Sequence, residues 1–162
     1  LDDTQQMAWR ALLVVFNRAL PQMERTFREH GLRAIEYGML VALSESPART
    51  RRLGELADMA DMSQSRLTHR LRGLVDSGDV VVTTDPNDQR AKNATLTDQG
   101  MATLKGVAPA HVADVQRLIF EHLTAEQTRA LADALGTVAA STCDHEPFGR
   151  DADGGTSPEA RA

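Results

Sequence analysis

Residues 63–100 read SQSRLTHRLRGLVDSGDVVVTTDPNDQRAKNATLTDQG, and the spacing inside this stretch decides the fold class. Leu67, Leu71, Leu74 and Val75 fall at i, i+4, i+7 and i+8, so all four share one narrow sector of a helix. The opposite sector carries Ser65, His69 and Arg72, with Arg66 on its flank. Ser63 is a good N-cap and Gly78 a good terminator, which predicts a helix from Ser63 to about Ser77. Val80–Thr84 and Ala91–Thr97 are strand-compatible runs separated by Asp85-Pro86-Asn87-Asp88, strong turn chemistry. They predict a two-stranded ribbon. Thr97 can then cap a long helix.

Working outward, Leu53, Leu56, Ala57 and Ala60 pattern a short helix just upstream, and Asp61-Met62-Ser63 reads as a tight break. A helix over about Arg33–Ser44 turns Ile35, Met39, Leu40 and Leu43 inward, although its start has no Ser, Thr or Asp cap. From Gln5 to His30, Trp9, Leu12 or Leu13, Phe16, Leu20, Met23 and Phe27 form one apolar stripe closed by Gly31. Pro21 lies inside that run and predicts a kink or break near Asn17–Pro21. Downstream, a helix from Asp98 to about His122 carries Met101, Leu104, Ala108, Val112, Val115, Leu118 and Ile119, with a bend expected at Pro109. Thr124-Ala125-Glu126-Gln127 is a capping box opening a last helix with Leu131, Leu135 and Val138 inward. The expected fold is mainly α with a small two-stranded β-hairpin.

The chain has 162 residues, enough for one domain with a real core. Its longest unbroken apolar run, Ala11–Phe16, is far short of the about 20 residues a bilayer crossing needs. The start shows no basic stretch followed by an apolar segment, so no secretory signal is expected. One cysteine, Cys143, excludes an internal disulfide and supplies no thiolate zinc site alone. A cytoplasmic location is the simplest expectation.

The net charge of −5 argues, taken whole, against a nucleic-acid binder. Its distribution changes that. Residues 49–92 hold eight cations, Arg49, Arg51, Arg52, Arg66, Arg70, Arg72, Arg90 and Lys92, against seven acids, so the excess of acid lies elsewhere. Of the 18 basic residues 16 are Arg, suited to bidentate phosphate and guanine contacts, although a GC-rich genome alone would also favour Arg.

A short helix, a tight turn, a helix with a polar front and a basic hairpin form a winged helix-turn-helix pattern. The major groove admits one α-helix, and a helix that reads it must be apolar behind and rich in donors in front. A hairpin tip beside it reaches the minor groove if it presents a cation, which Arg90 supplies, and Lys92 is placed for a phosphate. Asp88 fits either a turn initiator or an ion-pair partner of Arg90. Thr68 sits at the edge of the apolar sector and could instead bond to the preceding turn.

Asp88-Gln89-Arg90 followed by Leu96-Thr97 and Gly100 resembles the wing signature of the MarR (multiple antibiotic resistance regulator) family, D-x-R, a short strand, then L-T-x-x-G. Leu56-Ala57, Met62-Ser63-Gln64-Ser65, Leu67-Thr68, Leu74 and Gly78 resemble the same family's helix-turn-helix. The resemblance spans roughly residues 5–140. It implies a homodimer with interleaved first and last helices, a pseudo-palindromic operator, and release of DNA by a small aromatic or phenolic ligand, an oxidant or a metal. By matching positions it implies Ser63, Ser65, Thr68, His69 and Arg70 on the recognition helix and Asp88 and Arg90 on the wing. Arg70 and Arg72 depart from the family, which is commonly apolar at the first position and acidic at the second. The implied organisation is a dimerising first helix over 1–31, a winged helix-turn-helix over 32–99 and dimerising helices over 100–143, while the Gly-, Pro- and acid-rich composition beyond Asp144 predicts a disordered or loosely docked acidic tail over 144–162.

The expected DNA-contacting set is therefore Ser63, Ser65, Arg66, Thr68, His69, Arg70, Arg72, Asp88, Arg90 and Lys92. Trp9, Phe16, Tyr37, Met39 and His111 are candidates for an effector pocket between lobe and dimer helices, although Trp9 and Phe16 fit a plain dimer core as well. Cys143 is far from where the family's peroxide sensors carry theirs. None of the five histidines, His30, His69, His111, His122 and His145, pairs with another at i+3 or i+4, so no metal or cofactor is expected. No nucleophile elbow or Gly-rich phosphate loop points to an enzyme. The competing reading is a winged-helix protein-interaction module that does not bind DNA.

Overall fold

The computed structural model describes residues 1–142; the tail expected over 144–162, with Cys143 and His145, lies outside the described residues. Helix α1, Asp3–Glu29, opens on a capping box in which Asp2 accepts from the Gln5 amide at 2.8 Å and Gln5 accepts from the Asp2 amide at 3.1 Å. It runs through Pro21 without the expected break. The proline is exposed, and the Gln22 side-chain amide donates to the Arg18 carbonyl at 2.9 Å beside the bond the proline cannot make. Gly31, at φ +76°, closes the helix, and the Leu32 amide returns to the Phe27 carbonyl at 2.9 Å.

Helix α2, Ala34–Ser44, starts without a side-chain cap from Arg33. Two carboxylates substitute: Glu36 accepts from the Arg33 amide at 2.9 Å, and Glu24 of α1 accepts from the Ala34 amide at 3.0 Å. After a 3₁₀ turn, Pro47–Arg49, come β1, Thr50–Arg52, and α3, Leu53–Met59. A turn with Asp61 at φ +47° leads to α4, Gln64–Asp76, capped by Ser63, whose hydroxyl accepts from the Arg66 amide at 3.4 Å. Strands β2, Val80–Asp85, and β3, Asp88–Leu96, follow, then α5, Asp98–Leu118, and α6, Ala125–Thr142. The Thr124–Gln127 capping box forms as expected, at 2.9 and 3.2 Å. Helix α5 ends four residues early because Ile119 leaves helical geometry and a 3₁₀ turn, Phe120–His122, takes over.

The sheet corrects the two-stranded expectation. It has three antiparallel strands in the order β1-β3-β2, with Thr50 opposite Thr95 and Arg52 opposite Asn93. A three-residue strand holding two arginines shows no alternation in sequence and exists only because β3 offers it an edge. Its consequence is a brace at the wing: Arg52 reaches Asp85 at 3.1 and 3.2 Å, and the same carboxylate accepts from the Asn87 amide at 2.8 Å and from Asn93 at 3.3 Å. The Asn87 amide is the main reason the Asp85 carboxyl titrates below its usual range, with Asn93 and Arg52 adding to the effect and burial opposing it.

Met39, Leu40, Leu43, Leu56, Leu67, Leu74 and Val80 are fully buried and join α2, α3, α4 and the sheet into one lobe. The L-T-x-x-G motif fastens that lobe to α5. Leu96 is buried, and the Thr97 hydroxyl accepts from the Gly100 amide at 3.0 Å while donating to the Gly78 carbonyl at 2.8 Å. Gly100 passes so close to the Asp79 backbone that a Cβ there would lie 2.2 Å from the Asp79 carbonyl oxygen. The first two-thirds of α1 lies largely outside the core, leaving Met7, Trp9, Val14, Val15, Phe16 and Leu20 exposed in the single chain, and Leu135 and Val138 of α6, expected inward, are exposed as well.

Two outcomes follow for stability. Gly100→Ala forces backbone apart and should cost about 1–3 kcal/mol or more, read as a lower urea midpoint; an unchanged midpoint contradicts the close approach. Asp85→Asn should destabilise the protein at neutral pH, because a carboxyl with a lowered pKa stabilises the fold above its unfolded value of about 3.8. Thermal melts of the two proteins should converge as pH falls through and below that value, and a constant gap would deny the Asp85 carboxylate this role.

Candidate nucleic-acid interface

Burial of Leu67, Leu71 and Leu74 fixes the rotation of α4, and with it the direction of every polar side chain on the helix. At about 100° per residue, Ser65, Thr68 and Arg72 lie within about 60° of one another on the flank that faces the sheet. There they meet Arg90 and Lys92 of β3 across a groove of about 490 Å³. Leu53, Leu71, Val75 and Val82 form its apolar floor. Two further lining residues, Gln64 and Asp76, escaped the sequence reading. Both follow from the helix rotation once the wing is known to stand on this side.

The remaining expected residues do not line this groove. His69 is exposed between the two flanks, and Arg66 and Arg70 are exposed on the far one, where Gly73 approaches Glu36 of α2. Ser63 is engaged as the cap of α4 and lies 3.2 Å from the Ser65 hydroxyl. Thr68 donates to the Gln64 carbonyl at 2.8 Å, the local bond expected for a hydroxyl one turn into a helix. Asp88 accepts from the Arg90 backbone amide at 3.0 Å, and among the described residues no ion pair joins its carboxylate to the Arg90 guanidinium. The turn role is thus the one Asp88 takes. The carboxylate that braces the wing is Asp85, which sequence reading treated only as turn chemistry.

Chemically the groove is a cationic notch with a dry floor. Arg72, Arg90 and Lys92 converge from two elements, and none of the three is drawn into an ion pair among the described residues. By contrast Arg28, Arg49, Arg52 and Arg117 each hold a carboxylate. Arg72, Arg90 and Lys92 are thus left to meet an outside anion at one place, the groove between α4 and β3.

The five residues considered for an effector pocket separate into two groups. Tyr37 and His111 pack with Phe27 in an aromatic cluster with ring centroids 4.8–5.1 Å apart, and Met39 is fully buried. Trp9 and Phe16 are half exposed on the first part of α1, about 27 and 16 Å along the helix from Phe27 at 1.5 Å per residue. One chain therefore does not bring the five together. Beside the cluster Thr26 donates to Asp114, and this bond, more than the Arg117 contact at 2.7 Å, holds the Asp114 carboxyl below its usual range. Among the described residues no three His, Cys, Asp or Glu side chains gather as a metal site would require, and no described helix is long and apolar enough to cross a membrane.

No family model matches the chain, and no curated protein does. Solved structures do. AbsC, a MarR family transcriptional regulator from Streptomyces coelicolor, is 35% identical, with 87% of this chain and 95% of that one covered and a TM-score of 0.80. Sco3205, a MarR family transcriptional regulator from the same organism solved in complex with DNA, is 34% identical over 91% and 92%, with a TM-score of 0.83. CouR from Rhodococcus jostii RHA1, solved bound to p-coumaroyl-CoA, is 25% identical over 87% and 94%, with a TM-score of 0.68. With about a third of its residues shared over nearly the full length of two such regulators, the chain belongs to the MarR family of transcriptional regulators.

Proposed function

We propose that the protein is a sequence-specific DNA-binding repressor that works as a homodimer on a pseudo-palindromic operator. The observation that carries this reading is the groove: Ser65, Thr68 and Arg72 of α4 stand beside Arg90 and Lys92 of the wing, so major-groove donors and wing cations face one way. The DNA complex of Sco3205, a relative of similar shape over most of the chain, supports it. In this reading α4 enters the major groove, Arg90 reaches the adjacent minor groove, and Lys92 and Arg72 hold phosphate. Arg66 and Arg70, on the other flank of α4, meet the opposite backbone of the same groove.

The apolar face left uncovered on α1, together with the exposed Leu135 and Val138 of α6, supports dimerisation by a second copy of the chain. A two-fold dimer presents two α4 helices about 34 Å apart, one helical turn of DNA. Repression follows from occluding polymerase. Release by a small aromatic or phenolic effector is consistent with the ligand complex of CouR, and the effector would act by binding one dimer geometry better than the other.

DNA fragments selected from a genomic or random pool, followed by titration at several salt concentrations, test the reading. Arg90→Ala should weaken matched and mismatched fragments alike and lower the salt slope by about 1, whereas His69→Ala should change site preference more than overall affinity. If Arg90→Ala and Arg72→Ala leave binding to every fragment unchanged, a winged-helix module docking another protein becomes the better account.

A further inference from the structure

We infer that the joint between lobe and α5 sets which half-site spacing the protein accepts, with Gln99 and Thr103 as positioning residues. This inference rests on the dimeric DNA-binding reading. Asp79, directly after α4, is a carboxylate only 4% exposed. A buried carboxylate is costly unless hydrogen-bonded, and this one is held from both sides: Ser77, at the end of α4, donates to one oxygen at 2.7 Å, and Thr103 of α5 donates to the other at 2.8 Å. The Gln99 side chain donates to the Ser77 carbonyl, and Thr97 donates to the Gly78 carbonyl at 2.8 Å.

An aliphatic side chain at residue 79 would fill the same space without a preferred direction. A carboxylate clasped between two hydroxyls specifies one, because hydrogen bonds weaken steeply as they bend. The end of the recognition helix and the start of α5 are therefore set at one angle. The joint is also a lever. The thirteen residues of α4 extend about 20 Å from it at 1.5 Å per residue, so a tilt of about 10° carries the N-terminal turn about 3.4 Å, one base-pair step. In a dimer built on α1, α5 and α6, the angle at this joint fixes the distance between the two reading heads. None of Ser77, Asp79, Gln99 or Thr103 lines the groove or belongs to the set proposed to touch DNA, so on this reading they act on DNA through geometry.

The test uses the full chain and a fragment selected by the wild type, remade with its half-sites moved apart or together by one and two base pairs. The wild type should lose roughly tenfold or more in affinity for each displaced base pair, since both the distance and the face of the helix change. The Gln99→Ala/Thr103→Val double variant should discriminate by less than about threefold per base pair while binding the original fragment within about fivefold of wild type. Thr103→Ser, which keeps the hydroxyl, should restore the wild-type profile. If the double variant fails to fold, Gln99→Ala alone, altered at an exposed side chain, must still flatten the profile. A double variant, or that single variant, with the wild-type spacing profile overturns the inference and leaves the regulator reading intact. A wild type that binds no DNA overturns both.

Discussion

The structure turns on one close approach, the α-carbon of Gly100 against the carbonyl of Asp79. Three parts of the molecule meet there. Helix α4 has just ended with Ser77 as its C-cap, β3 has just delivered Leu96 and Thr97, and α5 is beginning. A Cβ at Gly100 would lie 2.2 Å from the carbonyl oxygen, so no other residue type allows the three to converge without backbone movement. Thr97 does two jobs in the same space, capping α5 and tying it back to Gly78. The direction of the groove relative to α5 is inherited from this point.

Charge is organised as locally as shape. The whole chain carries −5, yet the groove gathers three cations from α4 and β3 against one lining acid, Asp76. At physiological salt the screening length is about 8 Å, so acids farther off hardly offset the pull of Arg72 or Lys92 on an anion. They do disfavour indiscriminate adhesion to nucleic acid. Which arginines are committed internally matters as much as the tally: Arg52 is spent bracing Asp85 and Arg49 holds Asp98, while the groove cations have no such claim on them among the described residues.

What could be read in the sequence was whatever a local rule enforces. The i, i+4, i+7 spacing of Leu67, Leu71 and Leu74 settles the rotation of α4 without knowledge of any neighbour, and Ser63, Thr97, Thr124 and Gly31 mark helix ends because caps are local. The missed features all depend on partners distant in sequence. β1 is a strand only because β3 runs beside it, and the start of α2, placed correctly, has an unforeseen acceptor in Glu24 of α1. Asp85 braces the wing through an arginine 33 residues away. Pro21 read as a kink or a break because the rule for proline is local, whereas the continuous packing of Ala19, Met23 and Phe27 carries the helix through it without a break. The aromatic residues of α1 read as one group with Tyr37 and His111 because a stripe in sequence hides its length in space, and Trp9 and Phe16 lie far along the helix from that cluster.

Hydroxyl-radical footprinting on a selected fragment at low salt tests most directly whether α4 and the wing grip DNA together. The account predicts two protected patches on one face of the duplex, centred about ten base pairs apart, each extending into the minor groove beside it, with the flanking minor-groove protection lost in Arg90→Ala. Uniform cleavage, or protection of a single unrepeated patch that Arg90→Ala leaves unchanged, would contradict it.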